Sequence, residues 1–427
     1  MKNFKSLREL LGLIFTYSAP LSSVVLMIFG SAFYTTFLSL FLNHSGYSSQ
    51  EIGWIHSSFY FGMFLGAFQM ERIIKRIGHI QSLAVFGSLA SSATLLQGLY
   101  QNFFAWNVFR FVFGLSLAAL YIVIESWMLF NSTAKTRGVI LSLYMIALYV
   151  AQSLSQQLLF LVKIDSAAPF MISALFTALS VIPVGLSTSK IQLPPVHEEI
   201  KFWRILTLSP FGFFGCFVSG LILSSLYSFF PLLAIGRKIS SENLLTFTIA
   251  GGVFLQWPIG KLSDFFERRR VLLSVVLLSL LLSLFGYLFD SLSTSWTLCF
   301  VFVLGGLLFT LYPLSITQVC DHIENYQIIT ATAHLLVVYG LGCVIGPATA
   351  SILVTLSSIQ AIFLYFAGFL LLLSALGIYV TLRYPIVPLK EQMDFMPLPN
   401  ITPVAYELDP RMEEIPQEDL KGKEREI

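Results

Sequence analysis

The stretch Gly260-Lys261-Leu262-Ser263-Asp264-Phe265-Phe266-Glu267-Arg268-Arg269-Arg270 decides how this chain is read. Long apolar runs flank it on both sides, so it reads as a short loop at a membrane surface joining two spanning helices. Gly260 would let two helix backbones approach closely. Asp264 stands one helical turn further on. The arginines give that carboxylate a local partner, and a carboxylate in this place can also cap the exposed amides of a neighbouring helix N-terminus. Arg268, Arg269 and Arg270 mark this side as cytoplasmic.

Composition agrees with a membrane. The 427 residues have a mean hydropathy of +0.79 and only 11% charged residues. A soluble domain of this size would need far more charge on its surface. The net charge of +2 gives no support for a nucleic-acid partner. Cys216, Cys299, Cys320 and Cys343 lie in or at the ends of apolar runs without C-x-x-C spacing, so they read as packing residues. The basic N-terminus runs into an apolar stretch long enough to span, which reads as an uncleaved first helix.

A spanning helix needs about 20 apolar residues. Twelve such runs are predicted, near 15–42, 50–71, 79–100, 104–130, 137–162, 166–187, 208–235, 243–262, 271–289, 295–320, 327–354 and 358–382. The expected organisation is a six-helix unit over 1–188, a linker at 189–207 carrying Pro194-Pro195 and Glu198-Glu199, a second six-helix unit over 208–382, and an acidic tail at 383–427. The tail, rich in proline and acid, reads as soluble and partly disordered. With the N-terminus inside, fifteen Lys and Arg fall on inner ends and loops against Lys163, Arg237 and Lys238 outside. Both termini are therefore expected in the cytoplasm.

The two units repeat each other at an offset near 191 residues. Tyr47-Ser48-Ser49-Gln50-Glu51 echoes Ile239-Ser240-Ser241-Glu242-Asn243, Arg76 falls opposite Arg268, and Gly114 and Tyr121 fall on Gly305 and Tyr312. A parallel repeat of this kind implies a pseudo-twofold axis along the membrane normal.

The pattern G-x-x-x-D-x-x-x-R-R, set in this repeat, resembles the signature loop between the second and third helices of each half of major facilitator transporters. Phe265 and Glu267 depart from the family's usual basic residue and glycine. The first-half copy keeps Arg76 and Gly78 but has Lys75 where the family carries its Asp, with Glu71 one turn earlier. Glu125-Ser126-Trp127, Leu311-Tyr312-Pro313-Leu314 and Glu407-Leu408-Asp409-Pro410-Arg411 resemble the YcaD-like bacterial branch. The resemblance implies an all-α membrane protein of twelve transmembrane helices in two pseudo-symmetric six-helix bundles. It implies transport by alternating access across the bacterial inner membrane and gives no substrate.

The candidate gate and coupling residues are Arg76, Gly78, Arg110, Glu125, Gly260, Asp264, Arg268, Arg269 and Asp321. Arg110 in R-x-x-x-G resembles the family's fourth-helix motif, whose arginine is associated with proton coupling; the alternative is an arginine snorkelling to the outer headgroups. Glu125 lies too far along its helix to pair with Arg110. It reads as a gate latch within reach of Arg76 or Arg137, as a proton- or substrate-binding carboxylate, or as a plain structural acid. Asp321 offers the same latch to Arg268–Arg270. Polar residues inside spans must face other helices or a wet cavity. Placing the cavity along the first, second, fourth and fifth helices of each half, as the resemblance implies, gives Tyr34, Gln152, Tyr227, Gln256, Tyr312, Gln318 and His334 as cavity candidates. Gly340, Gly342, Gly346 and Pro347 predict close packing and a bend in the eleventh helix.

No catalytic constellation and no nucleotide-binding G-x-x-x-x-G-K-[ST] stands in the sequence, so neither an enzyme nor an ATP-driven pump is expected, and no cofactor or metal. The expected partners are a small-molecule substrate, protons and the lipid bilayer, with the protein a monomer. Export of toxic compounds or a siderophore, and a transporter-like sensor or assembly protein without flux, are the rival readings.

Overall fold

The structure is a computed structural model and describes residues 7–133, 136–186, 200–289 and 293–411. Most of the linker, Pro194-Pro195 and Glu198-Glu199 included, and the acidic end beyond Arg411 lie outside the described residues.

The described chain is helical with no strand. The helices are α1 Leu7–Thr16, α2 Ser18–His44, α3 Ser49–Ile77, α4 His79–Leu99, α5 Phe103–Phe130, α6 Arg137–Ser155, α7 Ala168–Leu179 and α8 Val181–Gly185. Then come α9 Phe202–Leu208, α10 Pro210–Gly236, α11 Ser241–Phe265, α12 Arg268–Leu288, α13 Thr294–Cys320, α14 Ile328–Leu356 and α15 Ala361–Arg383. Among the described residues, ten segments are long and apolar enough to cross a membrane. Two of the twelve expected spans, α3 and α11, fall outside that set. They are 29 and 25 residues long. Between their charged ends, interior polar residues lower their apolarity: His56, Ser57, Ser58 and Tyr60 in one, and Asn243, Thr246, Gln256 and Pro258 in the other. The expected fifth span runs on as a 3-10 turn at Gln156–Leu161.

Each long helix of the first half recurs about 191 residues later, as α2 to α10, α3 to α11, α5 to α13 and α6 to α14. In each half the second and fourth helices cross at the glycines that the repeat aligns. A Cβ on Gly114 would strike the Phe59 carbonyl of α3, and one on Gly305 the Thr248 carbonyl of α11. The eleventh expected helix packs closely at its glycines: Gly342 and Gly346 of α14 lie against the backbone of α10 at Phe217 and Leu221.

The halves meet chiefly through α3 against α14, with α2 against α10 and α6 and its 3-10 extension against α11. At the end of the molecule away from the Gly260–Arg270 turn, this seam is tight. Gly53 lies against Pro347 and Ser351, and the Ala348 amide donates to Ser57 Oγ at 3.1 Å. Gln157 donates to Thr246 at 2.9 Å, and Thr246 to the Ser153 carbonyl at 3.3 Å. At the opposite end, hereafter the basic face, the chain after α15 lies between the halves.

That segment overturns the expectation of a soluble, partly disordered tail, as far as Arg411. Tyr384–Arg411 turns back into the bundle, with short 3-10 turns at Leu389–Glu391 and Pro403–Leu408. Ala405, Tyr406 and Leu408 are fully buried, as are Thr402 and Asp409. The proline content that suggested disorder instead gives an extended ribbon. Its apolar side chains, Phe395, Leu398, Val404 and Leu408, match a cleft between helices.

Candidate functional site

A cavity of about 220 Å³ opens between the halves near the middle of the long helices. Helices α2, α3, α5 and α6 supply one wall and α10, α13 and α14 the other. Six tyrosines line it: Tyr60, Tyr121, Tyr149, Tyr227, Tyr312 and Tyr339. Gln152, Gln156, Thr35, Ser31, Ser224 and Asn400 supply further polar groups, and no charged side chain is among the lining residues. The cavity is an aromatic box with hydrogen-bonding edges.

Of the seven expected cavity residues, Gln152, Tyr227 and Tyr312 line it, and Gln152 and Tyr227 share a side-chain hydrogen bond. The other four do not. Tyr34 is held in the first-half core, donating to Gln97 Oε1 at 2.7 Å among Phe37, Phe113 and Phe170. Gln256 reaches across to accept from the Tyr149 hydroxyl at 3.0 Å, and α11 adds nothing to the lining. Gln318 and His322 border a separate small cleft beside Arg269. His334 packs edge-on against Phe202 of α9. Tyr339 and Gln156, polar residues within spans, line the cavity instead. Asn400, from the tail, had no signal in a membrane-helix reading.

At the basic face, the second signature loop forms a compact ionic clasp. Asp264 pairs with Lys261 at 2.8 Å and with Arg268 at 3.2 Å. Arg268, fully buried, also pairs with Asp321, joining the loop to the end of α13. The clasp grips the tail: Arg268 donates to the Met393 carbonyl, the Met393 amide donates to Asp321 at 3.0 Å, and the Phe395 amide donates to Asp264 at 2.7 Å. Asp264 thus caps a tail amide rather than a helix N-terminus. Gly260, expected to admit a second helix, instead makes room for the Phe395 ring, which a Cβ would overlap. Arg269 donates to the Tyr384 carbonyl at 2.9 Å and the Pro385 carbonyl at 3.0 Å, tying down the end of α15. Arg270 stays exposed, paired with Glu267.

The first-half loop is built differently. Glu71 pairs with Lys75 at 2.6 Å on the surface. Arg76 is exposed, and Gly78 turns the chain into α4 with φ +95°, a conformation open to glycine.

Glu125 is fully buried. Its carboxylate accepts from the Tyr144 and Thr402 hydroxyls and from the Ala405 amide. Its partners are therefore three neutral donors, two of them in the tail. Arg110 is also fully buried, which removes the snorkelling alternative. Its guanidinium lies 4.3 Å from the Phe59 ring centre, 5.4 Å from Tyr34 and 5.6 Å from Phe113. Among the described residues its three nitrogens meet no acceptor.

Two helical bundles around an uncharged central cavity, with one end sealed by helix contacts, are the anatomy of a membrane transporter. The chain belongs to the Major Facilitator Superfamily, whose family model matches residues 21–254 and 241–394. It is 30% identical over 366 residues to an uncharacterized MFS-type transporter, YcaD, of Escherichia coli O17:K52:H18 (strain UMN026 / ExPEC), covering 83% of this chain and 94% of that one. An uncharacterized MFS-type transporter of Enterobacter sp. (strain 638) is 29% identical over 367 residues, with the same coverage. The fold is similar to that of a bacterial homologue of the human lysosomal transporter Spinster in an inward-facing, occupied conformation. There the TM-score is 0.71 at 14% identity, over 89% of this chain and 98% of that one. It is also similar to the nucleoside transporter NupG, with a TM-score of 0.69 at 14% identity, over 86% and 99%. The chain is a multi-pass membrane protein of bacterial MFS type and a transporter by family, not an enzyme family.

Proposed function

We propose that this chain is a secondary transporter of the bacterial inner membrane that moves a small, uncharged, partly aromatic or amphipathic solute by alternating access, with both termini in the cytoplasm and the two six-helix halves rocking about the central cavity. The observation that carries this reading is the cavity itself: both halves line it, tyrosine hydroxyls and carboxamides edge it, and no ionised side chain lies on its wall. A permanently charged solute would enter such a box with its charge uncompensated, at a cost of several kcal/mol. Aromatic walls with a few placed polar groups suit a flat, neutral solute. The tight α3–α14 and α6–α11 contacts close the side away from the arginines, so the halves are parted only on the basic side, where the tail lies between them.

Protons are the simplest coupling ion. Glu125 and Arg110 are buried ionisable groups inside spanning helices, and such groups mark ion pathways. Glu125 sits where a proton can join or leave hydroxyl donors, and Arg110 carries an uncompensated charge that a rearrangement could relieve.

The test is a thermal-shift screen of the purified protein against neutral aromatic solutes, nucleosides among them, followed by uptake of each binder into proteoliposomes under an imposed pH gradient. Gradient-dependent flux supports the reading. Binding without flux under any gradient would favour a sensor, and binding confined to charged compounds would sink the assigned solute class.

A further inference from the structure

The segment after α15 touches both halves at once. On the second half, Met393 and Phe395 are held by Asp264, Arg268 and Asp321, the Tyr406 hydroxyl pairs with that of Tyr312, and Asn400 donates to the Tyr339 hydroxyl. On the first half, Thr402 and Ala405 bond Glu125, and Pro410 packs on Gly138 at the start of α6. Leu398, Pro399, Asn400 and Ile401 form the cavity's wall toward the basic face. A buried ion pair between Asp409 and Arg411 at 2.5 Å ends the segment.

Two consequences follow from volume alone. While Tyr406 and Leu408 fill the cleft, nothing the size of a solute passes from the cavity to the basic face. The halves also cannot close there, because closure needs the space the segment occupies. Protein interiors are close-packed and do not absorb such a ribbon by compression.

We propose that residues 393–411 are a built-in plug of the basic-face cleft, and that the cavity exchanges with that side only when this segment withdraws. The proposal rests on the alternating-access reading for its use in a transport cycle, but its test does not need flux. The signature clasp then acts as the plug's seat: Asp264, Arg268 and Asp321 hold the ribbon in place of a direct lock between the halves. Asn400 and the Glu125–Thr402 bond report the seated state to the cavity. Seating is also coupled to charge. Glu407 is pushed up to about 8, first by burial and then by Glu71, with Arg137 and Lys75 opposing.

Cysteine cross-linking tests this on the full chain. A Cβ on Gly138 would stand 3.4 Å from the Pro410 Cβ, close to the roughly 3.5–4.5 Å a disulfide spans. The variant Gly138→Cys/Pro410→Cys is oxidised to lock the plug or reduced to free it. Both forms and the parent, in inside-out membrane vesicles, are exposed to the charged reagent methanethiosulfonate ethylsulfonate. Modification of Cys343, which lines the cavity, is followed by peptide mass spectrometry. The rate tracks the population of the open form. The expected result is modification slowed about tenfold or more in the oxidised form, with the reduced form matching the parent. Equal rates in all three overturn the plug. Failure of the pair to cross-link overturns the seating on which it depends. If the lock slows modification but no solute shows flux, the plug stands and the transport reading falls.

Discussion

Arg268 and Arg270 sit two residues apart in one loop, yet the structure assigns them opposite weights. The side chain of Arg268 is fully buried against Asp321, itself 1% exposed, and Asp264 at 12%. That of Arg270 is 67% exposed beside Glu267. Removing one partner of a buried pair costs about 3–5 kcal/mol because the remaining charge is stranded. Arg268→Met would strand two carboxylates, but Asp264 keeps Lys261 and the Phe395 amide, so a loss of about 3 kcal/mol is expected. Asp321→Asn leaves Arg268 with Asp264 and the Met393 carbonyl, and should cost about 1–2 kcal/mol. Arg270→Met should stay within about 1 kcal/mol of the parent, as exposed pairs do. Arg268→Met/Asp321→Leu should recover part of the loss, since apolar replacement of a buried pair is often near neutral. Thermal unfolding in detergent, followed by the reactivity of the buried Cys216, Cys320 and Cys343, ranks the series. Arg268→Met no less stable than Arg270→Met would refute the clasp.

The same substitution at Arg110 should have the opposite sign. Arg110→Met removes a buried charge with no hydrogen-bond acceptor, so apart from cation–π contacts worth about 2 kcal/mol it should be neutral or stabilising while proton-driven uptake is lost; a loss of stability as large as that of Arg268→Met contradicts the isolated charge. Gly260→Val should unseat Phe395 and speed modification of Cys343 several-fold, leaving membrane insertion intact; unchanged reactivity would show that the ring is not seated there. Glu407 has a raised seated value, so the folded protein holds its proton where the free side chain has lost it, and stability must fall as pH rises. Relative to Glu407→Gln, the parent should lose thermal stability steadily from about pH 5, near the free carboxyl's range, and level off above about pH 8. Parallel melting profiles for the two proteins across that window would rule this out.

What was legible in the sequence was whatever a local rule enforces. Gly114 and Gly305 were readable because two helices cross where only glycine fits, and the repeat placed both in one register. Tyr121 and Tyr312 share that register and both reach the cavity, though only Tyr312 was expected there. The clasp was legible because Asp264 and Arg268 are one turn apart, and Asp321 ends the helix that faces them. Side-chain direction was not legible. Tyr34, Gln256, Gln318 and His334 are polar residues in apolar spans, like Gln152 and Tyr227, but α2, α11, α13 and α14 each turn several faces toward protein. With most of each helix buried, periodicity separates lipid from protein and not cavity from core. That ambiguity misplaced four residues and passed over Tyr339 and Gln156.

The tail was hidden for a different reason. Its composition resembles that of disordered segments because a ribbon hydrogen-bonded to side chains of other helices needs neither helical nor strand periodicity. Its ordering comes from groups distant in sequence: Glu125 on one half, Asp264, Arg268, Tyr312 and Asp321 on the other. In the sequence these five residues read as gate or cavity candidates, with no sign of the tail as their partner. The structure gives the tail as a partner to Glu125, Asp264, Arg268, Tyr312 and Asp321 alike. A buried carboxylate such as Glu125, ringed by hydroxyl and amide donors instead of cations, is thereby free to bind the proton or the ribbon more tightly in turn. If transport is proton-coupled as proposed, ribbon and proton would compete for this one carboxylate, and that competition gives a pH gradient a route by which to move the plug.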